Sequence, residues 1–297
     1  FLDAASNGIS VGVPGLFSML AKVHSIYGDL NWIDILQPSV SLAEKGFKIS
    51  PRLFKLLSWV PHLKETSNAK NLFFNKEGDP LPIGSLVKNK PLFLSLQELS
   101  FDPYSINRGA IALKINNKIQ TISKNKGLNL SDLNNWKPIE RKPLCKKYRK
   151  FKVCGMSPPT SGGISILQIL GILENYDLED LGPNSITATH LFLEASRLSY
   201  LDRAAFIADP DFVNVPTEEL LNSNYLKNRS DLINLFQSNP YFSHGKINSI
   251  SNLYSDNNSE LQSTTHISIV DNAGNIASLT SSIEFAFGSG IMAGGVF

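Results

Sequence analysis

The sequence has little cysteine, little excess charge and no long apolar run. It holds two cysteines among 297 residues, and its 28 basic side chains nearly balance its 26 acidic ones, for a net charge of +2. A near-neutral sum argues against a nucleic-acid binder, whose affinity depends on clustered Lys and Arg. No stretch of about eighteen consecutive apolar residues occurs, so no transmembrane helix is expected. Hydrophobic residues make up 42% of the chain, enough to build one large domain or two smaller ones and too many for wholesale disorder.

The two cysteines, Cys145 and Cys154, are too few for a disulfide framework. Their spacing fits neither a paired-cysteine zinc site nor a CxxC redox motif. The sequence therefore predicts two ordinary thiols, and they leave the compartment undecided. The histidines are scattered along the chain, so neither a metal site nor a cofactor is expected.

The two ends of the sequence predict a fragment. The chain opens at Phe1 without a methionine, a basic segment or an apolar segment, so no targeting signal is visible. It stops at Phe297, shortly after an apolar run that is typical of a strand. We therefore expect a piece of a longer chain, cut at both ends.

Hydrophobic spacing predicts several helices and a few strands. Apolar residues recur every three or four positions in the helical segments, whereas β-branched residues or alternation mark the strands. Pro38 is expected to mark a helix boundary, and residues 222–262 are expected to form a short helix and then a mobile loop through Ser255–Asn258. The predicted helices are one that starts at Leu16 and ends at Tyr27–Asp29, then 32–45, 92–99, 110–122, a start at 130–133, 164–173 and 187–207. The predicted strands are a short one within 8–15 that enters a turn, 148–153, 264–271 and 276–283.

The last two predicted strands form a β-hairpin that carries a candidate nucleophile. A polar segment leads into Thr264, Asn272–Asn275 form a turn, and the second strand follows. A threonine hydroxyl is a weak nucleophile at neutral pH. If the peptide bond before Thr264 were cut, the new α-amine, whose pKa is about 8, could act as the general base for that hydroxyl. Taken alone this indication is weak, because paired threonines at the start of a strand are common.

Six motifs in a fixed order make the chain resemble the γ-glutamyltransferase family, also called glutathione hydrolases, within the N-terminal nucleophile superfamily. The resemblance covers essentially the whole chain. The motifs are GISVGVPG (8–15), QPSVSLAEKGFKIS (37–50), MSPPTSGGISILQILGILE (156–174), HLFLEASRLSYLDRAAFIADPDFVNVP (190–216), TTHISIVDNAGN (264–275) and SLTSSIEFAFGSG (278–290).

The resemblance implies a proenzyme that cuts itself between Ser263 and Thr264. Residues 1–263 would then belong to the large subunit and residues 264–297 to the small one, together forming a heterodimer. The implied fold is an α/β, four-layer αββα sandwich, incomplete at both ends. Thr264 would attack a γ-glutamyl amide such as glutathione and pass the acyl group to water, an amino acid or a peptide. The compartment stays open, because many relatives are exported and others lack a signal.

The resemblance also assigns two binding residues. Ser282 lies 18 residues after Thr264 (282 − 264), where the family often has a threonine that hydrogen-bonds the nucleophile. Glu284 follows two residues later, and is expected on the same face of the strand. Relatives often have asparagine there, in contact with the α-carboxylate of the substrate, which a glutamate would repel. The family's substrate-binding arginine and oxyanion hole are expected outside this sequence, and without oxyanion donors a loss of ~100-fold or more is expected.

Other polar residues receive structural interpretations. His266 is expected to be structural rather than a base, and His190 to be a hydrogen-bonded core histidine. Local ion pairing or capping is expected to account for Asp202–Arg203 and Asp209, and a turn for Gly162–Gly163. Two alternatives to the γ-glutamyl reaction stay open: a cephalosporin- or glutaryl-type acylase of the same fold, and a non-catalytic paralogue that acts as a binding module.

Overall fold

The computed structural model describes residues 7–64, 67–182, 185–249 and 264–295. The chain divides into two compact units, Phe1–Ile139 with Glu260–Phe297, and Glu140–Ser259. The segment that begins at Thr264 belongs to the unit that contains Phe1–Ile139. The subunit boundary between residues 263 and 264 stays a prediction. Helices and strands are mixed, as an α/β chain requires. Within the described ranges, none of the helices is long and apolar enough to cross a bilayer.

The first unit is mainly helical and ends in a β-hairpin. Its helices are α1 (Leu16–Tyr27), α2 (Trp32–Lys45), α3 (Pro51–Trp59), α4 (Ser67–Phe73), α5 (Lys90–Phe101), α6 (Ser105–Arg108), α7 (Ala110–Ser123) and α8 (Leu130–Asn135), with a 3-10 helix at Pro61–Lys64. Its strands are β1 (Phe47–Lys48), β2 (Leu86–Val87), β5 (Thr264–Val270) and β6 (Ile276–Ser282). Strands β1 and β2 pair antiparallel, as do β5 and β6.

Most of the predicted helices of this unit are confirmed. Helix α2 has the predicted bounds, but it continues through Pro38, which lies inside it and does not end it. Asn129 caps α8: its side chain accepts the backbone N–H groups of Ser131 and Asp132, while the Asp132 carboxylate accepts the N–H of Asn129. This reciprocal arrangement satisfies donors that a helix start otherwise leaves free.

The predicted strand at 8–15 is wrong. Residues 7–10 form a turn, and the segment runs on without regular structure to α1. Val11 and Val13 nevertheless pack against the core formed by α7 and its neighbours. Gly15 lies so close to the ring of Trp136 that a Cβ at this position would be 2.3 Å from it. Packing, rather than ladder hydrogen bonds, therefore holds this segment.

The second unit packs two long helices beside a hairpin. Its elements are β3 (Leu144–Tyr148), β4 (Phe151–Gly155), α9 (Gly162–Leu173), α10 (Ile186–Phe206), α11 (Thr217–Leu220) and α12 (Ser223–Ser230). Helix α9 packs against α10, α12 and both strands. The predicted helices in this unit are confirmed, although Gly162 and Gly163 begin α9 and do not form a separate turn. The predicted loop through Ser255–Asn258 lies outside the described residues.

The single strand predicted at 148–153 is instead the tip of a hairpin. Strands β3 and β4 pair antiparallel on either side of Arg149 and Lys150. Arg149 takes a left-handed φ of 52°, and its N–H donates to the carboxylate of Glu174. The two flanking segments both alternate, so the sequence pattern did not show where the chain reverses.

The prediction of two ordinary thiols is also wrong. Pairing of β3 with β4 sets Cys145 directly opposite Cys154. Their Cα atoms are 4.1 Å apart, and the two sulfurs are joined in a disulfide. Two cysteines cannot build a disulfide framework, but they can form one cross-strand bridge when the register places them opposite each other.

A buried charge pair lies at the centre of the second unit. Asp202 on α10 forms an ion pair with Arg229 on α12 at 3.0 Å, and both side chains are at least nine-tenths buried. The Asp202 carboxylate also accepts the hydroxyl of Tyr225 at 2.7 Å and the N–H of Gly245 at 2.8 Å. Burial raises the pKa of Asp202, and the Arg229 charge and these hydrogen bonds oppose that rise. The expectation of local ion pairing for Asp202 is wrong, because its partner Arg229 is remote in sequence and lies on another helix.

The environment of Glu194, also on α10, predicts that the second unit loses stability at low pH. Burial alone would raise the pKa of its carboxyl, but bonds from the Asn239 N–H, the Ser238 hydroxyl and the Arg197 guanidinium outweigh it and lower the pKa below 4.5. A lowered folded-state pKa stabilises the unit above the unfolded value, and this contribution is lost as the pH falls through the folded value.

We therefore expect Glu194→Gln to reduce the protection of α10 against hydrogen exchange at pH 7, by roughly 1.5–3 kcal/mol. The difference from wild type should shrink progressively below pH 4.5. Hydrogen-exchange mass spectrometry of peptides from 186–206 measures it, with the exposed Glu179→Gln as the control variant. A difference that stays constant down to pH 3 would contradict the assignment.

Candidate active site

The hairpin β5–β6 carries the predicted nucleophile at its open end. β-Branched residues dominate β5, and the chain then reverses at Asp271–Asn275. The carboxylate of Asp271 accepts the N–H groups of Ala273 and Asn275 and the side-chain amide of Asn275. These bonds, led by the one from the Asn275 side chain, lower the pKa of Asp271. The turn therefore fixes the register of the two strands, as the sequence pattern predicts.

This register places Thr264 directly opposite Ser282. The Thr264 hydroxyl donates to the Ser282 hydroxyl, with 3.1 Å between the two oxygens. The backbone N–H of Glu284 donates to the same Ser282 oxygen, also at 3.1 Å. The Ser282 oxygen therefore accepts two hydrogen bonds and holds the Thr264 side chain at the end of the strand. Ser263, the other half of the predicted cleavage site, lies outside the described residues.

Glu284 does not lie on the strand, so the prediction that it shares a strand face with Ser282 is wrong. Strand β6 ends at Ser282, and Glu284 takes a left-handed φ of 69°. Its own N–H turns back to Ser282, which explains why the strand stops there. The structure thus brings Glu284 next to the Thr264–Ser282 pair through its backbone.

The remaining polar side chains on this face form a row along the hairpin. His266 contacts the Thr280 hydroxyl at 2.7 Å through Nδ1 and the Ser268 hydroxyl at 2.9 Å through Nε2. Within the described ranges no hydrogen bond joins His266 to Thr264. These contacts fit the structural role expected for His266.

His190, by contrast, contacts the backbone carbonyl of Asn234 at 2.7 Å and is half-buried, not fully in the core.

A cavity beside the site was not predicted from the sequence. It has a volume of about 460 Å³ and is mostly apolar. One side is formed by Ser282, Ile283 and Glu284, and the other by residues 10–14 and by isoleucines of α6 and α7. The GISVGVPG motif therefore meets the end of the hairpin at this cavity.

The segment that follows β6 folds back and anchors the end of the hairpin to the helices of the first unit. Gly294 and Gly295 have φ values of 62° and 84°. Their carbonyls accept hydrogen bonds from the Ser95 hydroxyl at 2.8 Å and the Asn89 amide at 2.9 Å. Met292 packs in the core beside α3 and α4. These contacts hold the chain that leaves Ser282 and Glu284.

The comparisons with known proteins agree with these features. The family model described as Gamma-glutamyltranspeptidase matches residues 3–297. The chain belongs to the γ-glutamyltranspeptidase family. The resemblance drawn from the six motifs is thereby confirmed. The glutathione hydrolase proenzyme of Escherichia coli strain K12 is 35% identical to this family member over 292 residues, which are 96% of this chain and 48% of that protein.

Two further relatives are a transpeptidase of known structure and an acylase. The crystal structure of the γ-glutamyltranspeptidase of Helicobacter pylori matches with a TM-score of 0.77 and 30% identity, over 84% of this chain and 72% of that one. The Acylase ACY 1 proenzyme of Pseudomonas sp. strain V22 is 30% identical over 94% of this chain and 48% of that protein. The chain spans about half the length of the curated relatives it matches.

Proposed function

We propose that the full-length protein is a γ-glutamyl acyltransferase and glutathione hydrolase that matures by self-cleavage. The observation that carries this proposal is the Thr264 hydroxyl, which is exposed at the start of β5 and hydrogen-bonded to Ser282. Membership in the γ-glutamyltranspeptidase family supports the reaction class.

In maturation, the Thr264 hydroxyl attacks the carbonyl carbon of Ser263. The peptide C–N bond breaks as the ester C–O bond forms, and the proton moves from the hydroxyl to the released amine. Water then hydrolyses the ester and frees Thr264 as the first residue of the small subunit, which stays bound to the large subunit as a heterodimer. The hydroxyl and its own α-amine then form a nucleophile and general base within one residue.

In turnover, Thr264 attacks the γ-glutamyl amide of glutathione and releases cysteinylglycine. Water or an amino acid or peptide then takes the acyl group. Ser282 orients the Thr264 hydroxyl through the hydrogen bond described above. Glu284 would repel a substrate carboxylate but attract an ammonium, so we place it near the α-ammonium of the γ-glutamyl group.

The complete protein is proposed to form the four-layer αββα sandwich. Strand β5 is exposed along its whole length, including its apolar residues Ile267 and Ile269. Most of β6 is exposed as well. An isolated two-stranded hairpin is marginally stable in water, so further strands and covering layers are needed to bury these side chains. The four-layer arrangement supplies both.

A glutaryl- or cephalosporin-type acylase is the second candidate. An acylase proenzyme among the relatives supports it. Glu284 does not, because a glutaryl group carries a carboxylate and lacks the ammonium that this anion would attract. Comparing p-nitroaniline release from γ-glutamyl- and glutaryl-p-nitroanilide by the purified full-length protein separates the two. Faster release from the γ-glutamyl compound supports the proposal, whereas faster release from the glutaryl compound would replace it with the acylase. Release from neither would favour the non-catalytic paralogue.

Ser282→Ala is expected to slow maturation roughly tenfold, because loss of one hydrogen bond to the nucleophile removes about 1–1.5 kcal/mol. Ser282→Thr keeps the hydroxyl and should mature at nearly the wild-type rate. The measurement is the appearance of the small subunit on a denaturing gel after synthesis of the full-length chain. Equal rates for all three proteins would show that the hydroxyl at 282 has no role.

A further inference from the structure

The exposed disulfide of the second unit lies far along the chain from the nucleophile and has no part in the proposed γ-glutamyl reaction. Cys145 and Cys154 form one cross-strand pair of the β3–β4 hairpin. Both residues are exposed, and their side chains project from the face of the hairpin that α9 does not cover. A small molecule can therefore reach both sulfurs in the folded protein.

The next pair on this face consists of two lysines. Side chains two residues apart along a strand point to the same face. Lys147 lies two residues after Cys145, Lys152 lies two residues before Cys154, and the register sets the lysines directly opposite each other. In the part of the chain that the structure describes, neither lysine forms an ion pair with a carboxylate. The disulfide thus lies beside two uncompensated positive charges.

These charges favour attack on the disulfide in two ways. A neighbouring cation stabilises a thiolate, and a stabilised thiolate is a better leaving group when the disulfide is broken. A positive patch also raises the local concentration of an anionic reagent and speeds its approach. The site therefore favours small thiols that carry a negative charge.

We propose that Cys145–Cys154 is a thiol-exchange site for small anionic thiols. In the forward reaction, the thiolate of the small molecule attacks one cysteine sulfur. A mixed disulfide forms as the cysteine–cysteine bond breaks, and the other cysteine leaves as a thiolate. A second thiol releases the first cysteine, so that one small-molecule disulfide is produced and two cysteine thiols remain. A small-molecule disulfide reverses both steps.

The inner face of the hairpin allows this exchange without unfolding. Leu144 packs against a core cluster that includes Ile164 and Phe206. Gly155 lies so close to Gly163 of α9 that a Cβ at position 155 would be 2.6 Å from its Cα. Arg149 is bound to Glu174 at the other end of the hairpin. Packing at both ends therefore keeps the strands paired when the sulfurs separate.

The experiment compares two small thiols of different charge on the purified, non-reduced full-length protein. Thioglycolate carries a carboxylate and 2-mercaptoethanol is neutral. The protein is treated with each thiol at pH 7.5, quenched with iodoacetamide and weighed by intact mass spectrometry. We expect alkylation of both cysteines only after thiol treatment. In the variant Lys147→Gln/Lys152→Gln, the rate of exchange with thioglycolate should fall roughly three- to tenfold. The rate with 2-mercaptoethanol should fall less.

The matched control is Lys70→Gln/Lys76→Gln, which removes the same charge from exposed positions in the other unit. Its exchange rates should equal those of wild type. Alkylation of both cysteines before any thiol is added would overturn the proposal, as would a disulfide that resists millimolar thiol until the protein is denatured. Equal thioglycolate rates in the wild type and the Lys147/Lys152 variant would also overturn it. None of these outcomes depends on γ-glutamyl activity.

Discussion

Replacing Thr264 by alanine in the full-length protein is expected to leave the chain uncut and to abolish γ-glutamyl release. In the proposed mechanism the Thr264 side chain supplies the attacking oxygen in both reactions, and its loss also removes the hydrogen bond to Ser282. We expect both rates to fall by ~10³-fold or more, as for removal of other covalent nucleophiles. A denaturing gel with N-terminal sequencing measures maturation, and release of p-nitroaniline from the γ-glutamyl anilide measures turnover.

Two further variants make this result specific to the hydroxyl. Thr264→Ser keeps the oxygen and should still mature and turn over. Thr265→Ala changes the next residue, whose side chain points to the other face of β5, and should retain most of both activities. If Thr264→Ala matured and released p-nitroaniline like wild type, the proposed function would be wrong. Loss of both activities in Thr265→Ala as well would point to a folding defect in the hairpin.

The hairpin that carries Thr264 was predictable because its signals are local. Alternation defines β5 and β6, and Asp271 with Asn275 defines the turn between them. Once the turn is fixed, antiparallel pairing sets each residue of β5 against one residue of β6. The resemblance to the family predicted the contact between Thr264 and Ser282, and the register of the hairpin places the two residues opposite each other.

Features that depend on contacts between distant segments were not predictable. The alternation around Tyr148 does not show where β3 reverses into β4, and without that reversal Cys145 and Cys154 have no reason to meet. Glu284 leaves the strand because its backbone turns back to Ser282, which side-chain periodicity does not encode. The cavity forms only where residues 10–14 meet the hairpin.

The Asp202–Arg229 pair shows the same limit and predicts a large effect on stability. The partners are 27 residues apart (229 − 202), and only the packing of α10 with α12 and the following loop brings them together. Asp202→Ala would leave the Arg229 guanidinium buried without a counter-charge, and the Tyr225 hydroxyl without its acceptor. Removing one member of a buried ion pair destabilises by roughly 3–5 kcal/mol.

We expect Asp202→Ala to lower the protection of α9, α10 and α12 against hydrogen exchange by about that amount, with little change in the first unit. The double variant Asp202→Ala/Arg229→Met removes both charges and should recover much of the loss, because an apolar replacement of a buried ion pair is often close to neutral. Peptides from 90–123 in the first unit provide the internal control. If the two single losses, from Asp202→Ala and Arg229→Met, simply added in the double variant, the pair would not be energetically coupled. In that case, packing around α10 rather than the charge pair would hold the second unit together.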